Sequence, residues 1–228
     1  MNTVEKIKKL KEEKKAIILA HYYVDEEVQK IADYIGDSFY LAKVASQTEA
    51  DRIVFAGVEF MGESAKILNP NKKVLMPDTF ADCPMAHMIT IKEIKEMREK
   101  YDDLAVVCYI NSTAEIKQYA DVCVTSSNAV KIVKALPQKN IFFIPDQNLG
   151  DFVRKQVPEK NVMTNYGHCP RHTNITLDKL NEAKQKYPEA KIAVHPECKR
   201  EIVEAADFVG STSTIIDYVS HLFEQHNQ

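Results

Sequence analysis

Two cysteines in this chain, Cys83 and Cys169, each precede a proline and stand 86 residues apart. Proline fixes the local backbone and brings no competing N–H donor. A thiolate placed there suits a soft metal, iron–sulfur clusters included. Spacing alone leaves two readings open, a metal ligand or a packed thiol. No Cys-x-x-Cys pair occurs, which disfavours a zinc ribbon or a thioredoxin-type site. Cys108 and Cys123 fall in apolar runs and are expected in the core. Cys198 follows Glu197 and is expected at a helix start.

A second group can do acid–base work near neutral pH. It consists of His21, Tyr22 and Tyr23, then Tyr109, Ile110 and Asn111, then His195, Pro196 and Glu197. Imidazoles, phenols, an amide and a carboxylate recur at one place in a repeating pattern. A third group is Gly36-Asp37-Ser38, Thr125-Ser126-Ser127-Asn128 and Gly210-Ser211-Thr212. These residues are good helix N-caps. Helix starts also offer free N–H groups to carboxylates or phosphates, so capping and anion binding are compatible readings. Asp146, Gln147 and Asn148 read as a polar turn before Leu149-Gly150, with Glu59 and Met61 in the corresponding turn earlier. His168, Arg171 and His172 flank Cys169 and could support a metal ligand from behind.

These residues need a scaffold that repeats, and the sequence supplies one. Three segments begin at Ala16, Ala105 and Lys191. Each reads as an apolar strand, a polar or aromatic cluster, a helix, Ala-Asp, a short apolar stretch and a Ser/Thr turn. The Ala-Asp pairs at 32–33, 120–121 and 206–207 are spaced by 88 and 86 residues. The first two repeats continue through strand, Gly-containing turn, helix and strand to Cys-Pro. Runs such as AIILA, RIVFAG, LAVVCYI and NIFFIP suit strands buried on both faces. Strands alternating with helices predict parallel α/β layers with right-handed crossovers. The predicted architecture is a pseudo-three-fold set of similar α/β sandwich units over residues 1–88, 89–174 and 175–228, the third incomplete. The same period puts a third cysteine site near about position 255, beyond Gln228.

With 228 residues, 45% of them hydrophobic, the chain can bury a proper core. Its net charge of −3 gives no electrostatic footprint for nucleic acid. The lysines of residues 6–15 are interrupted by glutamates and predict a solvated amphipathic helix. No apolar run is long enough to span a bilayer, and MNTVEKIKKL lacks the features of a signal peptide. A cytoplasmic protein without a membrane or nucleic-acid partner is expected.

The motifs ILAHYY, IADYIGDS, ADCPMA, CYINSTAE, ADVCVTSSNAV, PDQNLG, GHCPRH, VHPEC and ADFVGSTS occur in this order along essentially the whole chain. The chain resembles the quinolinate synthase A family of NAD biosynthesis. Tyr22 stands where that family more often has Asn. The resemblance implies condensation of iminoaspartate with dihydroxyacetone phosphate to quinolinate. It implies three similar α/β domains around one [4Fe–4S] cluster that acts as a Lewis acid, held by one cysteine per domain. Cys83 and Cys169 match two of these ligands. His21, Ser38, Tyr109, Ile110, Asn111, Ser126, His195, Pro196, Glu197, Ser211 and Thr212 match the substrate site. Tyr23, Tyr109 and Glu197 are the candidates for proton transfer, with His21 and His195 orienting substrate. An L-aspartate oxidase or dehydrogenase is the implied supplier of iminoaspartate. Two thiols are one short of the pattern, so residues 1–228 alone are expected to hold a cluster poorly and to be impaired. A cluster-containing hydro-lyase and a non-catalytic ligand- or metal-binding fragment are the competing readings.

Overall fold

The computed structural model describes residues 2–226. It contains two compact units, residues 1–83 and 84–228. The first unit runs α1 (Thr3–Glu13), β1 (Ala16–His21), α2 (Glu26–Gln29), β2 (Tyr34–Gly36), α3 (Ser38–Gln47), β3 (Arg52–Ala56), α4 (Glu59–Leu68) and β4 (Lys73–Leu75). The expected helix over the lysine-rich start is α1. Its first turn is closed by a capping box between Asn2 and Glu5, and none of its residues is buried.

The second unit opens with a 3₁₀ turn at Pro84–His87. It continues through α5 (Ile91–Lys100), β5 (Leu104–Tyr109), α6 (Ala114–Lys117), β6 (Val122–Val124), α7 (Ala129–Ala135), β7 (Asn140–Ile144), α8 (Gln147–Gln156) and β8 (Asn161–Thr164). It ends with α9 (Pro170–Thr173), α10 (Leu177–Lys186), β9 (Ala193–Val194), α11 (Arg200–Ala205), β10 (Phe208–Val209) and α12 (Thr212–His226).

The strands form three parallel sheets, ordered β2-β1-β3-β4, β6-β5-β7-β8 and β10-β9. Parallel α/β layering with a shorter third repeat is therefore observed. The register is copied along with the order. Ile18 faces Val54 in the first sheet, and Val106 faces Phe142 in the second, each 88 residues further on.

The repeated Ala-Asp pair has a physical job. Asp33 donates its amide to the Ile18 carbonyl (2.8 Å) and accepts the Ile18 amide on Oδ2 (2.8 Å). Asp121 does the same with Val106 (2.9 and 2.7 Å), and Asp207 with Ile192 (2.9 and 2.9 Å). One residue thus satisfies both polar groups of a residue in, or next to, the first strand of each repeat. A cation steadies each carboxylate: Lys11 on Asp33, Arg98 on Asp121 and Lys191 on Asp207.

Burial of the apolar strand faces supplies most of the driving force. Leu19, Leu41, Ile53, Phe55 and Phe60 fill the first unit. In the second, Ile94, Val106, Cys108, Phe142 and Ile144 form one cluster, and Leu180, Val194, Cys198 and Ile202 another. Within this unit α8 and α11 are fastened by Arg200 on Asp151 (2.8 Å from Nε) and by the Lys155–Glu204 ion pair.

Three local expectations need correction. Cys123 is exposed rather than in the core, because β6 is an edge strand that pairs only with β5. Its thiol hydrogen-bonds to Cys108, which pulls it down to about 7 and pushes buried Cys108 up. Asp146–Asn148 and Glu59–Met61 are not free turns. Asp146 is the N-cap of α8, and Glu59 opens α4. Cys198 lies ahead of α11, whose N-cap is Lys199, and is buried in the core of its repeat.

Candidate active site

The ends of β5, β7 and β9 and the segment leading into α9 bring a set of polar side chains together inside the second unit. Open parallel sheets place ligands at such carboxyl ends. Tyr109, the last residue of β5, donates its hydroxyl to Glu197 Oε1 at 2.6 Å. The other carboxylate oxygen lies 2.7 Å from His172 Nδ1. The same nitrogen is 3.2 Å from Cys169 Sγ. A continuous line results: Tyr109, Glu197, His172, Cys169. The His195 ring stacks on His172 with centroids 5.0 Å apart. One atom each from Cys169, His172 and Glu197 lies within 4.8 Å of the others, a spacing that fits a metal ion.

Backbone contacts hold this line in place. Asn148 donates from Nδ2 to the Glu197 carbonyl (3.0 Å). Asp146 is fully buried. It accepts the amides of Asn148 and Leu149 on Oδ1 (both 2.8 Å) and that of Cys169 on Oδ2 (3.2 Å). The Gln147 amide donates to the Gly167 carbonyl (2.7 Å). A Cβ at Gly167 would lie 2.2 Å from the Pro145 carbonyl oxygen, so the chain can pass here only as glycine.

Electrostatics separate the titratable groups. Burial works most strongly against the Glu197 charge, but the His172 and Tyr109 hydrogen bonds and the neighbouring imidazoles together outweigh it and keep the carboxyl below the usual carboxylate range. Burial would also lower His172, yet its bonds to Cys169 and Glu197 carry it up to about 10. The group is thus an ion pair at neutral pH. Asp146 is pushed up to about 7, by burial first and then by the Glu197 charge. Burial pulls His195 down to about 4 against the attraction of Glu197, so its ring is neutral. The Glu197 amide donates to His195 Nδ1 (3.3 Å), which leaves the proton on Nε2.

The first unit carries its own polar strand end. His21, 4% exposed, closes β1. The Tyr23 amide donates to His21 Nδ1 (3.2 Å), the same contact that His195 receives. Burial pulls this ring down to about 4 as well, against Asp37. Tyr23 stacks edge-on against His21 at 4.5 Å and is 72% exposed. Cys83 is half-buried, and its amide donates to Asp82 Oδ1 (2.7 Å).

The chain matches the family described as Quinolinate synthetase A protein over residues 5–228. It is 63% identical over 215 residues to a quinolinate synthase of Fusobacterium nucleatum subsp. nucleatum, covering 94% of this chain and 72% of the relative. Quinolinate synthases of Sulfurihydrogenibium sp. and Aquifex aeolicus are each 55% identical. They cover 95% of this chain and 70% and 67% of the relatives. The chain belongs to the quinolinate synthetase A family.

Against that family background, the sequence-derived residues divide by position. Tyr109, His195, Glu197 and Cys169 come together in the second unit. Ile110, Asn111 and Pro196 lie in the turns directly beside them; the Ile110 amide donates to the Val124 carbonyl (2.8 Å), and Pro196 is buried. Ser126 is half-buried in the turn before α7. Ser211 is buried ahead of α12 and lies 3.2 Å from the hydroxyls of both Ser213 and Thr214, and Thr212 opens that helix. Ser38 is the first residue of α3, capped by Asp37 through the Tyr40 amide (2.8 Å). Asn128 does not cap α7 with its side chain. It turns back to accept the Thr125 amide (2.7 Å). His172 and Asp146 carry more of the geometry than their sequence positions suggested. The GHCPRH motif signalled His172 only as a neighbour of Cys169. Among the described residues, no helix is long and apolar enough to cross a membrane.

Proposed function

We propose that this chain forms quinolinate from iminoaspartate and dihydroxyacetone phosphate, with loss of phosphate and water, on the way to NAD. The observation that carries the reading is the hydrogen-bonded line Tyr109–Glu197–His172–Cys169, buried at its Tyr109–Glu197 end, beside a neutral His195. Its similarity to proteins named quinolinate synthase points the same way.

Condensation, isomerisation and dehydration all need protons moved at the substrate. The Tyr109 hydroxyl is placed to exchange them, passing its own proton to Glu197 Oε1 and taking it back. His172 keeps Glu197 ionised and fixed in orientation through Oε2. His195 and His21 act as neutral donors through Nε2–H and hold substrate oxygens without charging. Ser38, Ser126, Ser211 and Thr212 sit at or just before helix starts, where amides favour carboxylate and phosphate oxygens. Tyr23, exposed beside His21, supplies a second phenol for proton transfer.

Cys83 and Cys169 fit a [4Fe–4S] cluster in kind. Both are half-buried thiols in Cys-Pro sequences of equivalent repeats, and each has its amide bonded to a carboxylate. They are two of the three thiols in the family pattern. When bound, the cluster supplies a Lewis-acidic iron. An oxidase or dehydrogenase acting on L-aspartate is the reaction class that would supply the imine.

Anaerobic reconstitution of the full chain with iron and sulfide, followed by chromatographic detection of quinolinate, tests the proposal. Product that requires both substrates, formed at a reduced rate because only two of the three thiols of the family pattern are present, is the expected result. Dehydration of small hydroxy acids without quinolinate would instead favour a hydro-lyase. Ligand-dependent melting shifts with neither activity would favour a binding fragment.

A further inference from the structure

The cluster reading assigns one sulfur of the second unit, Cys169. The structure places more donors than that around a single point. His172 Nδ1 faces two acceptors at once, Cys169 Sγ at 3.2 Å and Glu197 Oε2 at 2.7 Å. A cation at the position of that shared proton meets sulfur, nitrogen and oxygen together. Tetrahedral zinc, with its usual bond lengths to these atom types, sets sulfur–nitrogen and nitrogen–oxygen separations of about 3.4–3.6 Å. The sulfur–nitrogen pair at 3.2 Å needs to open by about 0.4 Å and the nitrogen–oxygen pair at 2.7 Å by about 0.7 Å to accept it, and all three atoms already lie within 4.8 Å of one another.

The surroundings suit a metal as well. Tyr109 occupies Glu197 Oε1 and leaves Oε2 for the ion. Asn148 anchors the Glu197 carbonyl and Asp146 the Cys169 amide, so two of the three ligands are held from behind. Thiolate and carboxylate together neutralise a divalent charge, and the mixed sulfur, nitrogen and oxygen donors suit zinc, cobalt or ferrous iron. Glu197 is buried, whereas Cys169 and His172 are half-buried and leave a way in.

We propose that Cys169, His172 and Glu197 form a mononuclear site for a soft divalent transition metal, lying wholly within the second unit and leaving one coordination position open. The site shares Cys169 with the cluster, so the two occupants exclude each other. Metal at this site would therefore regulate cluster loading. Its existence does not depend on quinolinate synthesis, because Cys83 is not one of its ligands.

Titration of the metal-free full chain with Co²⁺ under anaerobic conditions tests the site. One equivalent is expected to give a sulfur-to-cobalt charge-transfer band together with visible bands of tetrahedral cobalt, and Zn²⁺ should displace both. Cys169→Ser should abolish the charge-transfer band, and His172→Gln should weaken cobalt binding at least about 100-fold, more than the loss of an outer partner. Tyr109→Phe removes only such a partner and should weaken it about 10-fold. Cys83→Ser should leave spectrum and affinity unchanged. Circular dichroism on every variant identifies any that fail to fold. The near-isosteric Cys169→Ser and Tyr109→Phe carry the test if His172→Gln does not fold. Absence of the charge-transfer band in the unaltered chain, its persistence in folded Cys169→Ser, unchanged affinity in folded His172→Gln, or its loss in folded Cys83→Ser would overturn the proposal.

Discussion

Residues 16–83 and 104–169 are two castings of one scaffold, yet they present different chemistry at their strand ends. Both sheets have the same strand order, the same register and the same aspartate latch. Both pass an amide at the start of the second-half helix to the loop before the cysteine, Glu59 to Ala81 (2.8 Å) and Gln147 to Gly167 (2.7 Å). The cysteine amides then diverge. That of Cys83 finds the exposed Asp82 next to it, whereas that of Cys169 finds the fully buried Asp146 from α8. At the first strand ends, His21 is followed by an exposed Tyr23, but Tyr109 is buried and hydrogen-bonded to Glu197. The third repeat supplies the partner of Tyr109. Within the second unit it packs α11 on α8 and delivers His195 and Glu197 to the ends of β5 and β7. A repeated scaffold carries the positions, and the packing partner decides which of them join a hydrogen-bonded line.

The comparison can be broken most sharply at Glu197. Glu197→Gln keeps the shape but removes the proton acceptor of Tyr109. Quinolinate formation should fall by about 100-fold or more, read as kcat at saturating substrate. An unchanged kcat would return Glu197 to a structural role.

The equivalence of the two scaffolds is tested in their cores. Phe55 and Phe143 occupy the same place in β3 and β7, 88 residues apart, and both are 1% exposed or less. Truncation of either to Ala should cost about 3–5 kcal/mol in denaturant unfolding. Costs differing by more than about 2 kcal/mol would show that the two cores are not packed alike.

A pH series tests the strand-end histidine of the first unit. His21 sits at about 4 when folded, below its ordinary 6.5. Between these values the unfolded chain binds a proton that the folded chain does not. Its contribution is therefore full above about pH 6.5 and fades as pH falls toward 4, by on the order of 3 kcal/mol. Melting temperatures of the unaltered chain should drop over that window, and those of His21→Gln should drop less. Parallel curves would mean the ring is not held neutral.

The smallest expected effect is at the latches. Asp33→Ala and Asp121→Ala each remove one carboxylate acceptor of a strand amide, at a cost of about 1–2 kcal/mol. Equal losses sharpen the equivalence of the repeats. A negligible loss at one would show that water replaces the carboxylate there.

Much of this is legible in the sequence. The strands, their parallel pairing and the 86–88 residue period follow from apolar runs alternating with helices, and the Ala-Asp pairs mark where each first crossover closes. Both Cys-Pro sites and the strand-end clusters at 21–23, 109–111 and 195–197 could be located from period alone. The exposure of Cys123 could not, because an apolar run does not say whether its strand lies at an edge. His172 was visible only as a flanking residue, since its importance lies in meeting Glu197, 25 positions away in sequence.

The sequence by itself determined the scaffold and the inventory of chemical groups, because local pattern governs strand, helix and crossover. Tertiary structure alone decided which groups are charged and which are neutral. Glu197 stays an anion despite losing water because His172 and Tyr109 pair with it, and His195 is an uncharged donor because packing strips it of water while a backbone amide bonds its Nδ1. Desolvation and pairing are properties of neighbours in space, and no residue carries them along its own stretch of chain.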